Sequence, residues 1–127
     1  MPLVRIDTLE KYTAEERAAL GDGVHQALVE AIGIPPLDRF QVIASHAPGD
    51  LVFDPAYLDI PRTTGIVFVQ ISMSSGRTLE KKRALYEAIV RNLAARPGVR
   101  PEDVLINLVE VDKVNWSFGN GIAQYAQ

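Results

Sequence analysis

The sequence repeats itself. Laying residue 78 on residue 13 brings Thr78 onto Thr13, Glu80 onto Glu15, Leu85 onto Leu20 and Ile89 onto Val24. The same offset of 65 brings Leu93 onto Leu28, Gly98 onto Gly33, Pro101 onto Pro36 and Asp103 onto Asp38. A helix cap, an apolar stripe, a stop and a turn recur in the same order. The period therefore belongs to one supersecondary unit used twice.

Each unit reads as β-α-β. Residues 2–8 (PLVRIDT) are short and partly alternating, which predicts a strand. Thr13 with Glu16 three positions on forms a capping box. Leu20, Val24, Ala27, Leu28 and Ala31 follow as one apolar stripe; Gly33 marks the stop, and Pro35 and Pro36 forbid continuation. Residues 39–46 (RFQVIASH) predict a second strand. In the second unit, residues 65–71 (GIVFVQI) are the most apolar run and predict a central strand. Thr78 caps a helix lined by Leu85, Ile89 and Leu93 and ended by Gly98, and residues 103–111 (DVLINLVEV) predict the last strand.

A crossover of this length joins parallel strands and is right-handed. The two halves, about 2–46 and 66–111, thus predict one α+β domain over residues 1–127: a four-stranded mixed sheet with both helices on one face. Its other face is then bare, and its apolar side chains call for a second copy, so an oligomer is expected. The connection, residues 47–64, holds three prolines and is expected to include a short strand at residues 51–53. The tail, residues 112–127, gathers Trp116, Phe118 and Tyr125 around Gly119 and Gly121, and is expected to pack on a neighbouring subunit or line a pocket.

Composition narrows the chemistry. With no Cys, disulfides, thiolate metal sites and cysteine nucleophiles are excluded. Two histidines 21 positions apart, outside any HExxH spacing, do not suggest zinc. A formal charge of -3 argues against a nucleic-acid partner. The absence of an 18-residue apolar run argues against a membrane span, and charges within the opening residues argue against a signal peptide; a cytoplasmic location is expected.

The amino terminus is the first candidate for catalysis. The small residue after Met1 permits removal of the initiator, which would leave Pro2 with a free secondary amine. Such an amine titrates somewhat above the ordinary α-amino range of about 7.7–8.0, is lowered by burial or a nearby cation, and is raised by a nearby carboxylate. It suits general acid–base work. An ordinary strand start is the alternative.

Asp38 follows the double proline. It is either a turn aspartate, like Asp103, or a carboxylate near Pro2. Arg77 immediately precedes the Thr78 cap. It is either a solvated turn residue or a bidentate carboxylate grip where a helix N-terminus adds positive potential. Arg39, beside Asp38, and Arg62, in the connection, are candidates for a second cation. His46 reads as structural, bonding a backbone carbonyl, or as a pocket residue; His25 reads as a helix-face residue.

The Met-Pro opening, the doubled unit and Gly76-Arg77-Thr78 before a lysine-rich helix resemble the tautomerase superfamily. Residues 33–40 (GIPPLDRF), 46–49 (HAPG) and 116–121 (WSFGNG) resemble its malonate semialdehyde decarboxylase branch over nearly the whole chain. The resemblance implies the tautomerase fold, a homotrimer, no cofactor, and a small oxo carboxylic acid as substrate. It implies that Pro2 is the catalytic group and that Asp38 activates water or positions groups beside it. Trp116, Phe118 and Tyr125 would wall the pocket, Tyr125 standing where the branch has a phenylalanine. The branch carries two arginines after its third strand. Here residues 72–77 (SMSSGR) supply only Arg77, which leaves tautomerisation, decarboxylation and hydration all open.

Overall fold

The computed structural model describes residues 1–126. Strand β1 (Leu3–Leu9) leads to helix α1 (Ala14–Ala27), whose last turn widens over Leu28–Ile32, and then to β2 (Gln41–His46). Strand β3 (Val67–Ser74), helix α2 (Leu79–Ala95) and β4 (Val104–Val111) repeat the unit. The sheet order is β2-β1-β3-β4. β1 runs parallel to β2, β3 parallel to β4, and the two halves join through the antiparallel pair β1–β3.

The local signals act as the sequence predicts. Thr13 accepts the Glu16 N–H at 3.1 Å while the Glu16 carboxylate accepts the Thr13 N–H at 2.9 Å, which satisfies two orphan donors of the first turn. Thr78 accepts the Lys81 N–H at 3.2 Å. Gly33 adopts the left-handed conformation that terminates α1, at φ 79°. The second stop repeats the glycine: Gly98, at φ 107°, returns its N–H to Leu93 O at 3.0 Å as Gly33 does to Leu28 O at 3.0 Å. The helix itself ends sooner, at Ala95, because Pro97 cannot continue it.

One face of the sheet and the apolar stripes of both helices make the core. Val4 and Ile6 of β1 and Val67, Val69 and Ile71 of β3 meet Leu20, Val24, Leu28, Leu85, Ile89 and Leu93. Each such side chain contributes about 1.5–3 kcal/mol on full burial. Gly23 lets the helices approach: a Cβ there would lie 2.9 Å from Leu93 Cδ2. The opposite sheet face is bare, with Leu3, Val42, Leu105 and Val109 exposed on it. At its centre Arg5 donates twice to Asp7, at 2.9 and 3.0 Å, and the His46 imidazole meets the same carboxylate at 2.5 Å.

Four local expectations are corrected. The connection contains no strand at residues 51–53; a lone parallel bridge joins Pro48 to Leu51, and a 3-10 turn spans Tyr57–Asp59. His46 bonds a carboxylate rather than a backbone carbonyl, because β1 and β2 are parallel and in register at Leu9 and His46. His25 is buried, and its Nε2 meets Pro36 O at 2.7 Å, tying α1 to the turn that follows it. Asp103, expected as a turn aspartate that caps or is solvated, is 2% exposed and instead ties down the connection, accepting the Thr63 N–H at 2.7 Å and the Thr63 hydroxyl at 2.6 Å. Among the described residues, no helix is long and apolar enough to cross a membrane.

Candidate active site

The strand directions collect the candidate residues. β1 and β2 begin at the sheet end where β3 and β4 finish: Leu3 pairs Ser72, Gln41 pairs Val4, and Ser74 pairs Val111. The chain's start, the turn before β2, the turn into α2 and the aromatic tail therefore share one end of the sheet.

Pro2 is buried there. The Met1 amino nitrogen lies 2.8 Å from Asp38 Oδ2. That oxygen is buried and has no other hydrogen-bond partner among the described residues. The turn holding Asp38 is fixed locally, with Asp38 N–H donating to Pro35 O at 3.0 Å and Val4 N–H donating to Phe40 O at 3.0 Å. The carboxylate thus faces the amino terminus because Pro35 and Pro36 turn the chain and Phe40 locks it to β1.

The tail folds back over this group. Phe118 stacks on Trp116 with centroids 5.4 Å apart, meets Tyr125 edge-on at 5.0 Å and lies 6.0 Å from Phe40. Gln124 braces the turn between them, accepting the Phe118 N–H at 2.9 Å and donating to Gly119 O at 3.1 Å. The Tyr125 hydroxyl donates to the Met1 sulfur. Its pKa is raised, first by loss of water around it and then by the charge of Asp38. Beside this cluster Leu3, Phe40, Trp116, Ser117 and Phe118 line a largely apolar cavity of about 210 Å³. The Trp116 indole nitrogen is buried without a hydrogen-bond partner among the described residues.

Arg77 reaches the same end of the sheet but another cavity. Its guanidinium donates to Ser74 O at 2.6 Å. It lines a space of about 280 Å³ with Ser75, Gly76, Thr78, Lys81 and Lys113. Lys82 donates to Glu110 at 2.8 Å, and this bond, with the Lys82 charge, holds the Glu110 carboxyl below its ordinary pKa. Lys81 and Lys113 were missed in the sequence. Lys81 was legible as part of a lysine-rich helix start. Lys113 arrives only through the pairing of Ser74 with Val111, which a linear reading does not supply.

The other two arginines lie elsewhere within the chain. Arg39 donates to Asp22 at 2.7 Å instead of pairing with its neighbour Asp38. Arg62 donates to the carbonyls of Tyr57 at 2.9 Å and Ile60 at 3.2 Å, and braces the connection. Among the described residues, no cluster of three or more His, Asp or Glu side chains could hold a metal ion.

Comparison with known proteins agrees with this architecture. The pattern of a family described as tautomerase enzyme matches residues 38–119, and that of a second family of the same description matches residues 2–59. The probable tautomerase YusQ of Bacillus subtilis (strain 168) is 36% identical over 124 residues, which cover 98% of each chain. The crystal structure of FG41 malonate semialdehyde decarboxylase inhibited by 3-bromopropiolate is 40% identical, with a TM-score of 0.92 over 98% of this chain and 94% of that one. A second malonate semialdehyde decarboxylase, solved in wild-type, mutant and inactivated forms and described as having decarboxylase and hydratase activities, is 32% identical, with a TM-score of 0.91 over 98% and 95% of the two chains. With its doubled β-α-β fold and these similarities over nearly its whole length, the chain belongs to the tautomerase superfamily of enzymes, and its structure is similar to the superfamily's malonate semialdehyde decarboxylases.

Proposed function

We propose that this enzyme acts on a small 2-oxo or 3-oxo carboxylic acid with Pro2, freed by loss of Met1, as its general base and acid. The observation that carries this reading is the 2.8 Å approach of the amino terminus to Asp38, beside a buried Pro2 and under the aromatic tail. The Pro2 nitrogen is one residue further along, a step of about 3.8 Å between Cα atoms, so the carboxylate stays within reach of the new terminus. Arg77, at the same sheet end but in a neighbouring cavity of the chain, is the proposed carboxylate grip, with Lys81 and Lys113 raising the positive potential around it.

Two reactions follow from one amine. Neutral Pro2 takes a proton alpha to the substrate carbonyl and returns it elsewhere, giving keto–enol tautomerisation. Protonated Pro2 polarises the carbonyl of malonate semialdehyde. The carbon–carboxylate bond then breaks, its electron pair enters the enolate, and carbon dioxide leaves. Asp38, which meets the amino terminus at 2.8 Å, is the counter-ion of that protonated form. The 40% identity to a malonate semialdehyde decarboxylase supports decarboxylation, and the single arginine after β3 keeps tautomerisation beside it. Hydration of a small unsaturated acid, with Asp38 activating water, is a second reading, favoured by the hydratase activity ascribed to the 32% identical relative.

The enzyme is proposed to act as a homotrimer without a cofactor. Replacing Pro2 with alanine tests the catalytic reading. Assayed with malonate semialdehyde and with an enol-pyruvate, Pro2→Ala is expected to lose about 10²-fold or more in kcat/KM with its circular dichroism unchanged. Turnover within threefold of the parent on both substrates would mean that the amine is not catalytic. A non-catalytic binding protein would bind small carboxylates equally well in both forms and turn over neither substrate.

A further inference from the structure

The turn that carries Asp38 is held to the body of the protein at few points. Ile34, 5% exposed, anchors its start, and Phe40 O, accepting from Val4 N–H at 3.0 Å, pins its end to β1. Between them Pro35, Pro36, Leu37 and Arg39 are exposed. Asp38 N–H donates to Pro35 O and Arg39 N–H to Leu37 O, both at 3.0 Å, and these bonds shape the turn without fastening it to its surroundings. The Arg39–Asp22 pair does reach α1, at 2.7 Å, but both side chains are well exposed, and exposed ion pairs contribute little. One buried side chain is left. His25 of α1 places its Nε2 2.7 Å from Pro36 O, two residues before Asp38. A carbonyl oxygen only accepts, so this nitrogen carries the proton. Among the described residues, no other side chain bonds the backbone of residues 35–39.

The repeat supplies an internal comparison. The offset of 65 lays Val90 on His25, Pro101 on Pro36 and Asp103 on Asp38. Valine has no side-chain donor, and Pro101 O accepts the Val104 N–H instead. Asp103 is fixed through its own carboxylate, by Thr63. Asp38 has no such tether: among the described residues its buried Oδ2 meets only the amino terminus. Its aim therefore depends on its backbone, and the imidazole that holds that backbone stands only in the unit whose aspartate faces the chain's start. We propose that His25 is a positioning residue for the reaction: by holding Pro36 O it keeps the Asp38 carboxylate aimed at the reacting amine. Misplacing a catalytic group by about 1 Å costs up to about 10²-fold in rate.

This inference rests on the reading of Pro2 and Asp38 as a catalytic pair. The test uses the full-length protein with Met1 removal verified by intact mass, assayed with malonate semialdehyde and with an enol-pyruvate. His25→Leu fills the space and deletes the donor. His25→Gln returns an N–H donor the same number of bonds from the backbone as Nε2. His25→Leu is expected to lose about tenfold in kcat, with KM within threefold because Arg77 lies in a different cavity. His25→Gln is expected to restore kcat to within threefold of the parent. If His25→Leu does not fold, His25→Asn, whose amide stops one bond short of the carbonyl, replaces it with the same expected values. A kcat within threefold of the parent in the donor-less variant, even with a lowered unfolding temperature, would overturn the proposal, since His25 would then only tie the fold together. Equal losses in the donor-less variant and in His25→Gln would overturn it too, as would a loss carried by KM alone. Pro2→Ala and Asp38→Asn assayed in parallel separate the failures. If both are impaired and the His25 variants are not, only the role of His25 fails. If either is fully active, the underlying reading fails.

Discussion

Arg77 and Asp38 lie at the same sheet end in different surroundings. Asp38 is nearly enclosed, its side chain 12% exposed, and it faces a single amino group. Arg77 spends one guanidinium nitrogen on Ser74 O at 2.6 Å, which orients the rest toward the cavity it shares with Lys81 and Lys113. A bidentate grip on a carboxylate depends on that planar fork, which a lysine does not supply. Arg77→Ala is therefore expected to raise KM for both an oxo acid and an enol-pyruvate by about tenfold or more, since charged hydrogen bonds contribute about 1.5–3 kcal/mol. Steady-state kinetics checks this; unchanged KM and kcat would remove Arg77 from the site. Arg39 and Arg62 illustrate what sequence spacing cannot decide. Arg39 stands beside Asp38 and Arg62 in the connection, yet Asp22 on α1 and the carbonyls of the connection engage them.

At the scale of elements, most of the fold was legible because the repeat doubled every signal. Thr13 and Thr78 both cap, both apolar stripes bury, and all four strands form within two residues of their expected starts or three of their expected ends. The misses have a common cause. The short strand expected at residues 51–53 joins neither open edge of the sheet, β2 or β4, and its one bridge is local, from Leu51 to Pro48. Asp103 and His46 were misread because their partners, Thr63 and Asp7, lie 40 and 39 positions away. A buried polar group must find a donor or acceptor, but the sequence does not say from where. The candidate site was legible only through Pro2, Asp38, Arg77 and the aromatic tail. That Met1 bridges Asp38 and Tyr125 depends on the tail returning across the chain's start, a contact 124 positions apart.

The whole molecule has two pseudo-equivalent ends, and only one can host an amine. Asp38 before β2 and Asp103 before β4 are repeat partners at opposite ends of the sheet. Asp103 is tied off by Thr63, while Asp38 meets a terminus, because the chain begins at β1 and merely passes through the matching position at Val67. The bare sheet face exposes Leu3, Val42, Leu105 and Val109, apolar surface that the proposed homotrimer would bury. Sedimentation equilibrium is expected to return three times the 14.0 kDa chain mass; a stable monomer at micromolar concentration would contradict the homotrimer. The catalytic claim itself is tested most directly by labelling. Active protein is treated with 3-bromopropiolate, the compound that inhibits the 40% identical relative, and is then mapped by intact and peptide mass spectrometry. The expected result is a chain that begins at Pro2 and carries the label on the Pro2 nitrogen, with activity lost in proportion. Full activity in a chain that retains Met1, or inactivation by a label placed elsewhere with Pro2 unmodified, would contradict the account.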